Sequence, residues 1–197
     1  MITIFDYGAG NLRSVENTLA EIGAPYRLVD SSEDLEAAEK IILPGVGHFG
    51  QLLRALDEKN VRAALAGRLR AGVPFLGICL GLQALFEDSE EAPDQRGLGL
   101  FPGRVRRFPE GLRVPHMGWN QLTALAPSRL LEGVAPGAHM YFAHSYYAPV
   151  VAETAASCEY GTAYTALLES ANVCGVQFHP EKSGPVGLRI MRNFCQL

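Results

Sequence analysis

At 197 residues, 48% of them apolar, the chain suits one compact domain over 1–197 with a sizeable core. Its formal net charge of −4 gives no electrostatic reason to expect nucleic acid as a partner. No run approaches the roughly 18 consecutive apolar residues of a membrane span. The strand-like Ile2-Thr3-Ile4-Phe5 follows no basic-then-apolar leader, so the expectation is a cytoplasmic protein without membrane contact.

Strand-like runs at about 2–6, 25–30 and 40–44 alternate with helical or looping segments. Leu12, Val15, Leu19 and Ile22 recur at helical spacing, and Gly23 supplies a stop. Helical segments around 50–57 and 61–71 precede an apolar strand at 73–78. This alternation predicts an α/β fold, a mainly parallel twisted sheet with helices on both faces and right-handed crossovers. The stretch Glu87 to Gln95 is acidic and turn-rich and reads as a solvated loop. Short strands over roughly 98–169 then suggest an antiparallel extension of the sheet, with Arg104, Arg106 and Arg107 on a solvated strand face. A closing helix at about 184–195 puts Val186, Ile190 and Phe194 on one face. Ligands in such sheets bind beyond the carboxyl ends of the strands.

The most informative stretch is Val73-Pro74-Phe75-Leu76-Gly77-Ile78-Cys79-Leu80-Gly81-Leu82-Gln83. An apolar strand enters Gly-x-Cys-x-Gly, and a helix containing Leu82, Leu85 and Phe86 is expected to leave it. That is a thiol form of the nucleophile elbow, with glycines where a Cβ would meet the crossing backbone. The competing reading is a buried structural cysteine between two incidental glycines. Gln177-Phe178-His179-Pro180-Glu181 follows a second strand-like run, Asn172 to Val176. A cysteine nucleophile needs a base and the base an orienting acceptor, and His179 and Glu181 supply both from one short segment. Cys158, Cys174 and Cys195 form no CxxC pair with Cys79 or each other and read as small buried hydrophobes. The histidines show no metal-ligand spacing, so neither a metal nor a cofactor is expected. Gly45-x-Gly47-x-x-Gly50 fits a dinucleotide pattern, but it follows the third strand and no acidic residue lies at 65–71, which argues against that use.

Gly-Ile-Cys-Leu-Gly-Leu-Gln together with His-Pro-Glu resembles the class I glutamine amidotransferases, whose glutaminase domains share a flavodoxin-like sheet and a Cys-His-Glu triad. The segments Phe5 to Asn11, Leu43 to Gly50, Pro115 to Asn120 and Tyr141 to Tyr146 extend the likeness over nearly the whole chain. They resemble one subgroup, the glutaminase subunits of imidazole glycerol phosphate synthases in histidine biosynthesis. The resemblance implies Cys79 as nucleophile, His179 as base and Glu181 as its orienter. It implies an oxyanion hole from the backbone N–H groups of Val46 and Leu80, and glutamine contacts at Gly45, Gln83, Ser145 and Tyr146. It also implies a separate (β/α)8-barrel cyclase subunit as partner, met by Asn11, Trp119, Tyr141 and Lys182, which receives ammonia through a channel. Other readings stand beside it: the glutaminase subunit of another synthase, a hydrolase acting alone, or a flavodoxin-like binding module with an inert cysteine. Against anthranilate synthase partners stand Pro44-Gly45-Val46-Gly47 and Lys182, where those proteins show a Ser-Pro-Gly-Pro loop and a serine.

Overall fold

The computed structural model describes residues 1–8, 11–123 and 125–197; the Ala9 and Gly10 of the Phe5-to-Asn11 motif lie outside the described residues. Strand β1 (Ile2–Phe5) is followed by α1 (Leu12–Glu21), β2 (Tyr26–Val29), α2 (Ser32–Glu36) and β3 (Ile41–Gly45). Helices α3 (Phe49–Glu58) and α4 (Val61–Arg70) lead to β4 (Phe75–Cys79), the short α5 (Leu80–Gln83), β5 (Phe86–Ser89) and β6 (Phe101–Arg107). Then come β7 (His116–Gln121), β8 (His139–His144), β9 (Tyr146–Tyr147), β10 (Thr154–Glu159), β11 (Ala163–Ser170) and β12 (Val173–Val176). A 3₁₀ turn (Pro180–Lys182) and α6 (Gly184–Gln196) close the chain.

Seven strands form the main sheet in the order β10-β11-β12-β4-β3-β1-β2. The five from β12 to β2 run parallel, and β11 and β10 add an antiparallel edge. Strand pleating sends alternate side chains to opposite faces. Ile2, Ile4, Ile42, Leu76 and Ile78 pack on one face with Val15 and Leu19 of α1 and Ile190 and Phe194 of α6. Phe5, Ile41, Leu43 and Phe75 pack on the other with Leu52, Leu56, Leu65 and Leu69 of α3 and α4. Layers on both faces are what a buried parallel sheet requires.

Three expectations need correction. The helix leaving the elbow ends at Gln83, and Phe86 opens a strand instead of extending a helical face. The carbonyls of Ala84, Leu85 and Phe86 accept from the N–H groups of Leu98, Leu100 and Gly99, so they are engaged laterally and the helix has no continuation. The acidic run is not a free loop. Glu87 accepts from the Gly103 N–H, Glu90 from the Arg107 N–H and Glu91 from the Phe49 N–H, while Asp88 pairs with Arg96 and Arg104. Of the later strands, only β10 and β11 extend the main sheet; β5-β6-β9 and β7-β8 form two small sheets of their own. Carboxylates bonded to the N–H groups of β6 and its flank tie that strand to the acidic segment.

Candidate active site

Three neighbouring parallel strands deliver the chemistry. β4 ends at Cys79, flanked by β3, whose Gly45 is in register with Cys79, and by β12, whose Val176 is in register with Ile78. The residues just past those ends, Val46 on one side and Gln177 and His179 on the other, therefore converge on the thiol. Cys79 adopts φ 53°, ψ −104°, a conformation non-glycine residues hold at a cost of about 1–3 kcal/mol. A Cβ on Gly77 would strike the Gly81 carbonyl, and one on Gly81 would strike the Leu43 carbonyl, so the elbow closes only with glycine at both places. Leu80 opens α5, whose first N–H groups have no intrahelical acceptor.

His179 and Glu181 meet within their own short segment: Glu181 Oε1 lies 2.8 Å from His179 Nδ1, with side chains 2% and 3% exposed. A carboxylate accepts, so Nδ1 carries the proton and Nε2 is left for the thiol. Burial opposes charge on His179. The neighbouring Cys79 sulfur and the Glu181 carboxylate favour it, and the balance raises the His179 pKa above the ordinary imidazole value, as suits a base. Backbone bonds fix the segment: the His179 N–H donates to the Tyr141 carbonyl (2.9 Å), and the Ser183 hydroxyl donates to the His179 carbonyl (2.6 Å) while accepting from the Tyr141 N–H (3.0 Å).

A cavity of about 190 Å³ opens on the thiol, lined by Val46, Leu80, Gln83, Glu91, Ser145 and Tyr146 among others. That is below the roughly 300–1,000 Å³ of drug- or cofactor-sized pockets and suits a small amino acid. Glu91 is its one acidic lining group among the described residues. Two larger depressions, of about 410 and 590 Å³, lie at the amino ends of the parallel strands near Lys40 and Asn172 and touch none of these residues. The elbow cysteine lines the smaller one.

Of the glutamine contacts expected from sequence, Gln83, Ser145 and Tyr146 line the cavity. Gly45 instead faces the elbow, where a Cβ would lie 2.7 Å from the Leu80 Cβ and 2.8 Å from the Gly81 nitrogen. Val46 lines the cavity, yet its N–H donates to the Tyr7 hydroxyl (3.0 Å), which in turn donates to the Val46 carbonyl (2.8 Å). Burial, opposed by the Val46 bond, pushes the Tyr7 pKa up to about 12, so this hydroxyl keeps its proton. Trp119, Tyr141 and Lys182 gather on one face: Trp119 packs edge-on to Tyr141 with centroids 6.0 Å apart, and the Lys182 ammonium lies 6.0 Å from the Tyr141 ring centre. Trp119 is 56% exposed. Asn11 immediately precedes α1.

Sequence reasoning passed over Gln177, Tyr7, Glu91 and Ser183. Gln177 carried a signal, the two-residue spacing to His179 that puts both on one side of an extended segment. Glu91 carried none, standing among look-alike acids.

The family model for class-I glutamine amidotransferases matches residues 3–197. The chain is 50% identical to imidazole glycerol phosphate synthase subunit HisH of Desulfitobacterium hafniense, over 98% of this chain and 93% of that one. It is also 50% identical to the HisH subunit of Methanothermobacter thermautotrophicus, over 100% of this chain and 98% of that one. The chain belongs to the class I glutamine amidotransferases, in the HisH family. A crystal structure of a glutamine amidotransferase shares the fold, with TM-score 0.77 at 22% identity over 99% of this chain and 97% of that one. So does PurLQS from Thermotoga maritima, with TM-score 0.75 at 20% identity over 99% and 97%. Among the described residues no helix is long and apolar enough to cross a membrane.

Proposed function

We propose that Cys79, His179 and Glu181 perform the glutaminase half-reaction of an imidazole glycerol phosphate synthase, and that the ammonia passes to a separate (β/α)8-barrel cyclase subunit. A HisH-family chain is the glutaminase subunit of that enzyme in histidine biosynthesis. What supports the roles is one observation above the others: a strained cysteine at a strand-to-helix elbow facing a buried histidine whose Nδ1 is held by a buried carboxylate.

The Cys79 proton passes to His179 Nε2 as sulfur attacks the side-chain amide carbon of glutamine. The carbonyl electron pair moves onto oxygen, where the Leu80 N–H stabilises it, joined by the Val46 N–H once that peptide turns from Tyr7. His179 returns the proton to the amide nitrogen, the C–N bond breaks, and ammonia leaves a γ-glutamyl thioester. Water, deprotonated by His179, then releases glutamate and the thiol. Glu91 supplies the negative charge for the substrate ammonium group, with Gln83, Ser145 and Tyr146 around the same end. Trp119, Tyr141, Lys182 and Asn11 face the cyclase, and the exposed aromatic–cation cluster supports that assignment.

Cys79→Ser is expected to abolish synthesis from glutamine by the assembled complex while leaving synthesis from added ammonium salt nearly intact. Loss of both in a correctly assembled complex would overturn this division of labour.

A further inference from the structure

The sulfur of Cys79 has a partner that the triad does not use. Gln177 is fully buried, and its Nε2 lies 3.5 Å from Cys79 Sγ. Its Oε1 accepts from Gln83 Nε2 at 3.0 Å, and that same Nε2 donates to the Tyr146 carbonyl at 2.8 Å. A backbone carbonyl can only accept, so the Tyr146 oxygen obliges Gln83 to present its NH₂ group. The second hydrogen of that group then obliges Gln177 to present its oxygen to Gln83, which leaves the Gln177 NH₂ facing sulfur. His144 Nδ1, 2.8 Å from the same Tyr146 oxygen, reinforces the origin of this polarity. Turning the Gln177 amide alone would set two NH₂ groups against each other, and turning both amides would set the Gln83 oxygen against the Tyr146 carbonyl, in a buried site.

Resting on the reading that Cys79 is the nucleophile, we propose that Gln177 is a further catalytic residue, a fixed N–H donor that stabilises negative charge on the Cys79 sulfur. Charge resides there twice in the cycle. It appears when the thiol proton moves to His179, before the S–C bond forms, and again when the thioester is hydrolysed and sulfur leaves. In both events the Gln177 bond favours the anion, and it relaxes when the S–C bond draws the charge away. Gln83 and Tyr146 belong to the glutamine cradle, so the relay also joins that cradle to the reactive atom.

The test is alkylation of Cys79 by iodoacetamide across pH in the full chain without glutamine, followed on the Cys79 peptide by mass spectrometry. Gln177→Met removes the donor at similar volume; Gln177→Glu keeps an acceptor for Gln83 and sets an oxygen against sulfur. Both are expected to move the alkylation profile to higher pH, Gln177→Glu further, with about tenfold slower reaction at pH 7 in Gln177→Met that recovers in alkali. Two folded variants with profiles superimposed on the parent would overturn the proposal. So would a uniform loss of rate at every pH, which marks a merely structural role. Failure of the nucleophile reading is seen separately, as glutaminase activity surviving Cys79→Ala in the complex.

Discussion

Cys79 holds a positive-φ backbone, φ 53°, at the sharp turn where β4 meets α5. Replacing it with glycine removes that strain and is expected to stabilise the fold by about 1 kcal/mol while abolishing glutamine hydrolysis. Urea unfolding checks the first, and an unchanged midpoint would remove strain from the account. The base should matter more than its orienter, since a misplaced imidazole still transfers some protons. His179→Ala is therefore expected to lower kcat by about 10²–10⁴, and Glu181→Gln by less. A Glu181 variant slower than the His179 variant would reverse their ranks. These residues were legible from sequence because the elbow and the i, i+2 pair are local signals. The spacing of Gln177 to His179 was legible too, but its contact with the sulfur was not, since that depends on Gln83 and Tyr146, distant in the chain.

The end of β3 is held by β1's neighbour Tyr7, whose hydroxyl engages both the N–H and the carbonyl of Val46. With that N–H turned to Tyr7, an oxyanion would have one donor instead of two. Tyr7→Phe frees the peptide between Gly45 and Gly47 and is expected to raise the glutaminase rate of the isolated chain about tenfold, a fraction of the roughly 10²–10³ that one donor contributes. A rate equal to the parent's would show that the hydroxyl does not restrain it. On the other flank, β8 is stitched to the triad segment through the Tyr141 and Ser183 bonds. Ser183→Ala leaves the half-buried Tyr141 N–H and the His179 carbonyl without their hydroxyl partner, and a loss of about 1 kcal/mol in unfolding free energy is expected. Tyr141 also carries the Trp119 and Lys182 contacts, so its carbonyl bond to the His179 N–H joins that aromatic–cation cluster to the segment of His179 and Glu181.

The molecule as a whole buries a histidine that resists charging. His144 sits among Phe108, Phe142 and Tyr164, with Nε2 unpartnered, and burial pulls its pKa down to about 3, aided by His116 and His179. Its folded pKa lies below the ordinary 6.5, so the unfolded chain binds a proton that the folded one refuses. Its contribution is whole above pH 6.5 and falls away between there and about 3, at up to about 1.4 kcal/mol per pH unit. His116 is lowered by burial and acts in the same direction. Urea unfolding at pH 7 and pH 5 should show His144→Gln losing less stability on acidification than the parent, and equal losses would refute the assignment. The sequence by itself determined the parallel α/β plan and singled out Cys79, His179 and Glu181, because periodicity, a glycine-flanked turn and two-residue spacing are properties of contiguous residues. Only the tertiary structure decided that Gln177 faces the sulfur, that Tyr7 occupies the Val46 N–H, that Glu91 alone of its acidic neighbours lines the cavity, and that the helix after the elbow stops at Gln83. Each of those depends on which donor or acceptor arrives from a distant segment, and hydrogen-bonding groups of one residue type look alike until their partners are in place.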